Sequence, residues 1–289
     1  MEGWKSGRLE GGRREACWLR SVAMGFLFLA GSEWCDAANE SGLWELWELH
    51  IEYEEDHERV VAACRTFEGK NSEDPLLPVV HGLEAWHEFR REQPARALRL
   101  LKPYSSSGEG WVHRGSEILA NAWVTRLQRD RIVEALQHYY RVEIRYPKRL
   151  EELAAHSAVP KALHPTETDR WGTRWDYRLV GFDGTPGFLD QRYVLESIHL
   201  RGTSDYKKAL EVSIEESMRL VPVQVSDGGE AKVVRFENTD PGGGNEVVAL
   251  SPGGEAHGVY LAFVGEHLIV ICDRLHWAVF RGPGRDGRK

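Results

Sequence analysis

The apolar residues of this 289-residue chain keep a helical spacing as far as about Tyr140 and switch to alternation after Tyr177. A period of 3.6 puts them on one face of a helix and a period of 2 on one face of a strand, so a segment written for one does not settle as the other. A chain that changes period once is expected to keep its helices and strands apart. The predicted fold class is α+β, with N-terminal helical hairpins, then a long helix, then antiparallel sheet.

Leu43, Trp44, Leu46, Trp47, Leu49 and Ile51 open the first helical segment, which is expected to continue through Val60, Val61, Ala63, Cys64 and Phe67. Gly69 to Ser72 breaks it. Glu73-Asp74-Pro75 then supplies the acid and proline of a new first turn, ahead of Leu76, Leu77, Val79, Val80, Leu83, Trp86 and Phe89. Pro94 starts a short third piece that ends at Pro103 and the serines after it. A fourth, longer helix carries Ile118, Leu119, Ala122, Trp123, Leu127, Ile132, Val133, Ala135 and Leu136. Short helices with tight polar breaks predict antiparallel hairpins. Residues 60–101, with small side chains at Ala62, Ala63, Ala85, Ala95 and Ala97, are similar to one tetratricopeptide-type repeat. That likeness implies a protein partner on the helical module, drawn at 43–115.

The first helix is acidic, with Glu45, Glu48, Glu52, Glu54, Glu55, Asp56 and Glu58 against Arg59. His50, Glu54 and His57 stand at i, i+4 and i+7, where one helix would align two imidazoles and a carboxylate as zinc ligands. The reading preferred is a solvated acidic face, because spacing of this kind recurs without metal. His81 and His87 are read as surface or capping groups.

The middle of the chain carries a longer pattern. Ala135-Leu136-Gln137-His138-Tyr139 is followed by Tyr146-Pro147-Lys148-Arg149-Leu150-Glu151-Glu152-Leu153, then by Asp169-Arg170-Trp171-Gly172-Thr173-Arg174-Trp175-Asp176-Tyr177. Pro147 is expected to stop the long helix and hold Tyr146 extended. Leu150 and Leu153 fit a short second helix. Asp169 is expected to cap a turn that Gly172 permits, and Trp171 and Trp175 to anchor it to the core. Over residues 131–200 this pattern resembles the globular domain of the major, G-type pseudopilins of type II secretion. The resemblance implies a pilin-like α+β domain at 116–217 in which Tyr139, Tyr146, Pro147, Leu150, Leu153, Asp169, Trp171, Gly172, Trp175 and Tyr177 are fold determinants. No catalytic, cofactor-binding or metal-ligating residue is expected among them.

The departures from that family are specific. Val142-Glu143-Ile144 stands where the family has Asp-Asn-Gly, and Arg170 replaces a proline. Gly25-Phe26 is present, but Ala30 occupies the place of the family's glutamate and the apolar run stops at Gly31, so the filament-forming helix is missing. The nearest match to the family's calcium loop is 197–205, whose one carboxylate, Asp205, and neighbouring Arg201 suit calcium poorly.

After Tyr177, strands are expected at 175–180, 192–196, 220–225, 231–236, 247–250, 259–264, 268–272 and 277–280, with one helix over 206–218. Asp227-Gly228-Gly229, Pro241 to Gly244 and Pro252-Gly253-Gly254 supply turns, and residues 264–267 suit a two-residue hairpin. Gly242-Gly243-Gly244 lacks the helix and lysine of a phosphate loop. These strands are drawn as a β-rich extension, 218–281, either continuing the pilin-like sheet or folding on its own, before a disordered tail, 282–289.

Basic residues Lys5, Arg8, Arg13, Arg14 and Arg20 precede a ten-residue apolar run, Val22 to Gly31. A bilayer span needs about 20. With Ala30-Gly31-Ser32 or Cys35-Asp36-Ala37 as a small-residue cleavage site, residues 1–37 read as a signal peptide, which places the protein on the periplasmic or extracellular side of a bacterial envelope without a stable membrane anchor. Cys64 and Cys272 then remain, either joined by a disulfide or as buried free thiols. No CxxC is present. The net charge of −8 argues against nucleic acid as the main partner. The expected function is a non-catalytic exported protein with a helical protein-interaction module, and the resemblance implies association with a type II secretion or pilus-like system. The alternative is a metal-dependent or carboxylate-based hydrolase, although neither Gly-x-Ser-x-Gly nor His-Glu-x-x-His occurs.

Overall fold

The five main helices come first and the two larger sheets last, with a short helix, a hairpin and two further short helices between them. The computed structural model describes residues 38–106, 108–180, 192–229, 231–239 and 246–282. The expected leader at 1–37, the Gly242-Gly243-Gly244 turn and the tail from 283 lie outside the described residues.

The first apolar segment is two helices, α1 (Glu40–Glu52) and α2 (His57–Lys70), where one continuous helix was expected. Asp56 causes the break. Its carboxylate accepts from the N–H of Arg59 and starts a helix of its own. The Arg59 guanidinium lies 3.4 Å from the centre of the Tyr53 ring across the turn. Folding back brings Val60, Cys64 and Phe67 into the same core as Leu43, Leu46 and Trp47.

Helix α3 (Leu77–Arg90) begins with Pro78 in its first turn, later than the Glu73-Asp74-Pro75 start expected. Asp74 does different work: its carboxylate accepts from the N–H of Leu76 and, across the fold, from that of Asn39, both at 2.7 Å. Helix α4 (Pro94–Leu101) leads to the long α5 (Trp111–Glu143). At 33 residues, α5 runs for about 50 Å.

Helix α5 ends at Glu143, and Ile144 closes it in the left-handed conformation (φ 56°) with its N–H on the carbonyl of Tyr140. Pro147, expected to stop the helix, follows three residues later. A short helix α6 (Glu151–Ala155) and a two-stranded hairpin, β1 (Asp176–Val180) with β2 (Arg192–Glu196), complete this end. They enclose a second core of Ile132, Leu136 and Tyr139 from α5 with Leu153, Trp175 and Leu195, and Tyr146, Leu150 and Tyr177 pack against it. The Tyr177 hydroxyl donates to the carbonyl of Pro147 at 2.7 Å.

The single helix expected over 206–218 is two, α7 (Tyr206–Glu211) and α8 (Ile214–Ser217), because Ser213 and Glu216 form a reciprocal cap between them. The remaining strands make two antiparallel sheets, β3 (Leu220–Asp227), β4 (Lys232–Asn238) and β5 (Val247–Leu250), and β6 (Glu255–Ala256), β7 (Val259–Val264), β8 (Leu268–Cys272) and β9 (Trp277–Arg281). Every residue of β7 and β8 is buried, so both faces of that sheet are covered. Helices α1, α3 and α5 lie against it. These strands neither extend the β1–β2 hairpin nor form a core of their own: Phe236, Leu250 and Ile271 share one core with Leu43, Val80 and Trp123. Helix α5 joins this core to the second.

The β7–β8 turn has three residues, Gly265 to His267, where two were expected. Its orphan donors are met from outside. The Glu40 carboxylate accepts from the N–H groups of Glu266, His267 and Leu268 at 2.9, 2.7 and 2.9 Å, which ties the start of α1 to the sheet through charge-assisted bonds. Among the described residues no helix is long and apolar enough to cross a membrane.

Candidate functional site

The loop before β1 is built on Asp169. Its Oδ1 accepts from the N–H groups of Trp171 and Thr173 at 2.9 and 3.0 Å, and its Oδ2 from the hydroxyl of Ser197 at 2.6 Å. Gly172 takes the left-handed conformation (φ 76°) that the turn needs. Of the two tryptophans expected to anchor this loop in the core, only Trp175 does so. Trp171 is half-buried and turned the other way, its ring 4.8 Å from that of His199. The tight turn decides this, because residues on either side of Gly172 leave in different directions.

Trp171 and His199 form one wall of a cleft of about 360 Å³. The Nε2 of His199 is 3.0 Å from the Thr173 hydroxyl, and the His199 carbonyl accepts from Arg274 at 3.0 Å. Arg274 in turn stands 3.7 Å from the carboxylate of Glu255. The opposite wall is the first turns of α5, with Trp111, Arg114 and Ile118. Arg114 is paired with Glu117. Trp111 is 54% exposed, a large apolar group left open to solvent at the cleft. The chain comes close beside it at Gly253 (φ 89°), where a Cβ would fall 2.8 Å from the indole.

Tyr260 of β7 also lines the cleft. The residue is 5% exposed, and its hydroxyl has no hydrogen-bond partner among the described residues. Burial pushes the phenol up, so the hydroxyl stays protonated and able to donate. A buried hydroxyl left unpaired costs about 1–3 kcal/mol. The Tyr260 hydroxyl is one of ten buried side-chain nitrogen or oxygen atoms without a hydrogen-bond partner among the described residues, and the one of them that belongs to a residue lining this cleft.

Arg126 supports the cleft from behind. It is fully buried, with its guanidinium donating to the carbonyls of Thr203 and Arg274, both at 2.8 Å, and lying 4.6 Å from the Trp123 ring. Burial lowers its pKa to about 9. Sequence reasoning missed it, though a signal existed: Arg126 follows Leu119, Ala122 and Trp123 on the apolar face of α5. Trp111, Arg114, Tyr260 and Arg274 were also missed, and no local spacing links them.

The histidines are arranged differently from the expectation. His50 is in α1, His57 opens α2 and Glu54 lies in the turn between, so the three do not share a helix face. His50 and His57 are joined through His87, which is fully buried in α3 and neither a surface nor a capping group. The Nδ1 of His87 is 3.0 Å from Nδ1 of His57, and its Nε2 is 3.1 Å from Nδ1 of His50. Two different nitrogens of one ring are used, so the chain is linear and does not converge on a point. Burial holds His50 down at about 4 and His87 at about 2, helped by the neighbouring imidazoles. His81, half-buried, bonds the Tyr104 hydroxyl at 2.7 Å.

The 197–205 loop turns its oxygens inward: Ser197 to Asp169, Ser204 to the carbonyl of Leu200, and Asp205 to the N–H of Lys208 and to Arg129. No group of three or more His, Cys, Asp or Glu among the described residues is arranged to hold a metal ion. Cys64 and Cys272 are free buried thiols, and Cys272 faces the carbonyl of Gly115 at 3.6 Å.

No protein-family model matches this chain. No curated protein and no solved structure is significantly similar to it.

Proposed function

We propose that this chain is an exported, non-catalytic binding protein whose working surface is the cleft between α5 and the C-terminal strands. One observation carries the reading: an exposed Trp111 and Tyr260, whose buried hydroxyl has no partner among the described residues, line the same cleft. Exposed aromatic rings beside convergent polar groups are what binding sites present. The titratable groups of the cleft support binding over turnover, since His199 is held by Thr173 and Glu255 stands beside Arg274. In this reading the pseudopilin-like segment is scaffold, the helical layer meets a protein partner, and the protein accompanies a secretion or pilus-like envelope system. These last elements rest on the sequence resemblance and the N-terminal pattern.

Two measurements test it. The mature N-terminus in the native host is expected just after residue 32 or 37, and a mature chain retaining residues 1–31 overturns export. A photoactivatable residue at position 111, with one at the equally exposed Val142 as control, is expected to yield a covalent adduct in cells from 111 alone. Equal labelling, or none, overturns the cleft as the working surface.

A further inference from the structure

Resting on that reading of the cleft, we infer that its ligand is a neutral saccharide, seated with the apolar face of a sugar ring on tryptophan and its hydroxyls on the polar lining. The first argument is charge. Each guanidinium at the cleft already has a carboxylate: Arg114 has Glu117 and Arg274 has Glu255. An anion would meet neutralised arginines and the repulsion of Glu255, so neither free phosphate nor a carboxylate is favoured. The lining offers donors in Arg114 and Arg274 and an acceptor in Glu255. A vicinal diol, in which each hydroxyl both donates and accepts, uses both kinds at once.

The second argument is shape and aromatic content. Trp111 and Trp171 come from elements sixty residues apart in sequence and line one space. Both are fixed before any ligand arrives, Trp171 by the Asp169 turn and His199, Trp111 by the close approach of Gly253. Rigid rings bind apolar faces with little ordering cost. A volume of about 360 Å³ is at the small end of ligand pockets and leaves room for roughly one or two sugar rings. The third argument is Tyr260, which lines this space and whose buried hydroxyl has no partner among the described residues. A site built to hydrogen-bond a hydroxyl discriminates strongly against a ligand lacking it.

The experiment uses the full chain, a broad glycan array, and titration calorimetry with array hits; inorganic phosphate and citrate are the anionic arm. At least one neutral saccharide is expected to bind and to change tryptophan fluorescence. Its affinity should be unchanged between about 50 and 500 mM salt, since no net charge is screened. Tyr260→Phe should weaken it about tenfold, the effect of one hydrogen bond. Trp111→Ala, at an exposed position that folding does not need, should abolish it. Absence of any saccharide binding overturns the inference, as does binding of phosphate or citrate with an affinity that falls with salt. An adduct from position 111 without saccharide binding would sink the ligand class and spare the binding surface; failure of both would sink both.

Discussion

The Nε2 of His87 lies 3.1 Å from Nδ1 of His50, although 37 positions separate them in the chain. With His57 on the other nitrogen of His87, the two contacts form a line of three imidazoles from a half-exposed position into the interior. Neutral rings satisfy the line in either direction, each donating to the next. A proton added to the buried members has no carboxylate beside it: the neighbours of His87 are His50, His57 and Arg90, and those of His50 are His276 and His57; the half-exposed His57 has Glu55, opposed by Arg90 and Arg91.

Stability is therefore expected to fall with acidification. The folded pKa values of His50 (about 4) and His87 (about 2) lie below their common unfolded value of 6.5, and those of His57 and His276 are also lowered. A depressed pKa means the unfolded chain binds more protons, so the contribution is complete above pH 6.5 and is lost as pH falls toward the folded values. For His50 alone the loss by about pH 4 is roughly 3 kcal/mol. Thermal melts between pH 8 and 4 should show Tm level above 6.5 and descending below it; a Tm that rises or stays flat on acidification would refute this.

Asp169 holds the cleft wall that carries Trp171. Asp169→Ala removes the acceptor of three donors and is expected to destabilise by roughly 2–4 kcal/mol, against about 1.5 kcal/mol for Ser197→Ala. Urea unfolding of the two variants and the double variant checks this. The double variant should cost less than the sum, because both changes delete one bond.

Ile144 is a β-branched residue at φ 56°, where a left-handed cap favours glycine. It is 53% exposed, so little packing is lost on replacement. Ile144→Gly should stabilise by about 1 kcal/mol. A decrease in the denaturant midpoint would show that the side chain contributes more than its backbone costs.

Burial raises the pKa of both Cys64 and Cys272, so neither thiol offers a thiolate at neutral pH. Alkylation followed by peptide mapping should leave both unmodified in native buffer and label both in guanidinium without reductant. Labelling that requires reductant would reveal a disulfide.

Much of the secondary structure was legible because its signals are local. The bounds of β5, β7 and β8 follow from apolar runs between glycine- and proline-rich turns, and the Asp169 turn follows from a carboxylate three residues before a glycine. The α1–α2 break was overlooked because the polar residues 52–59 read as the solvated face of one continuous helix. Only the cap that Asp56 makes, a bond requiring the chain to turn, separates the two helices.

The order and period of apolar residues determined that helices precede antiparallel strands, and the Tyr146-Pro147 and Trp175-Asp176-Tyr177 segments determined which residues close the second core. The tertiary structure alone decided the cleft and the histidine line. Trp111, Trp171, His199, Tyr260 and Arg274 become neighbours only when α5 lies against β7 and the Asp169 loop folds over its side. Likewise His87 becomes a bridge only when α1, α2 and α3 pack. Spacing along a chain reports faces of single elements, whereas contact between elements is fixed by the burial of those faces together.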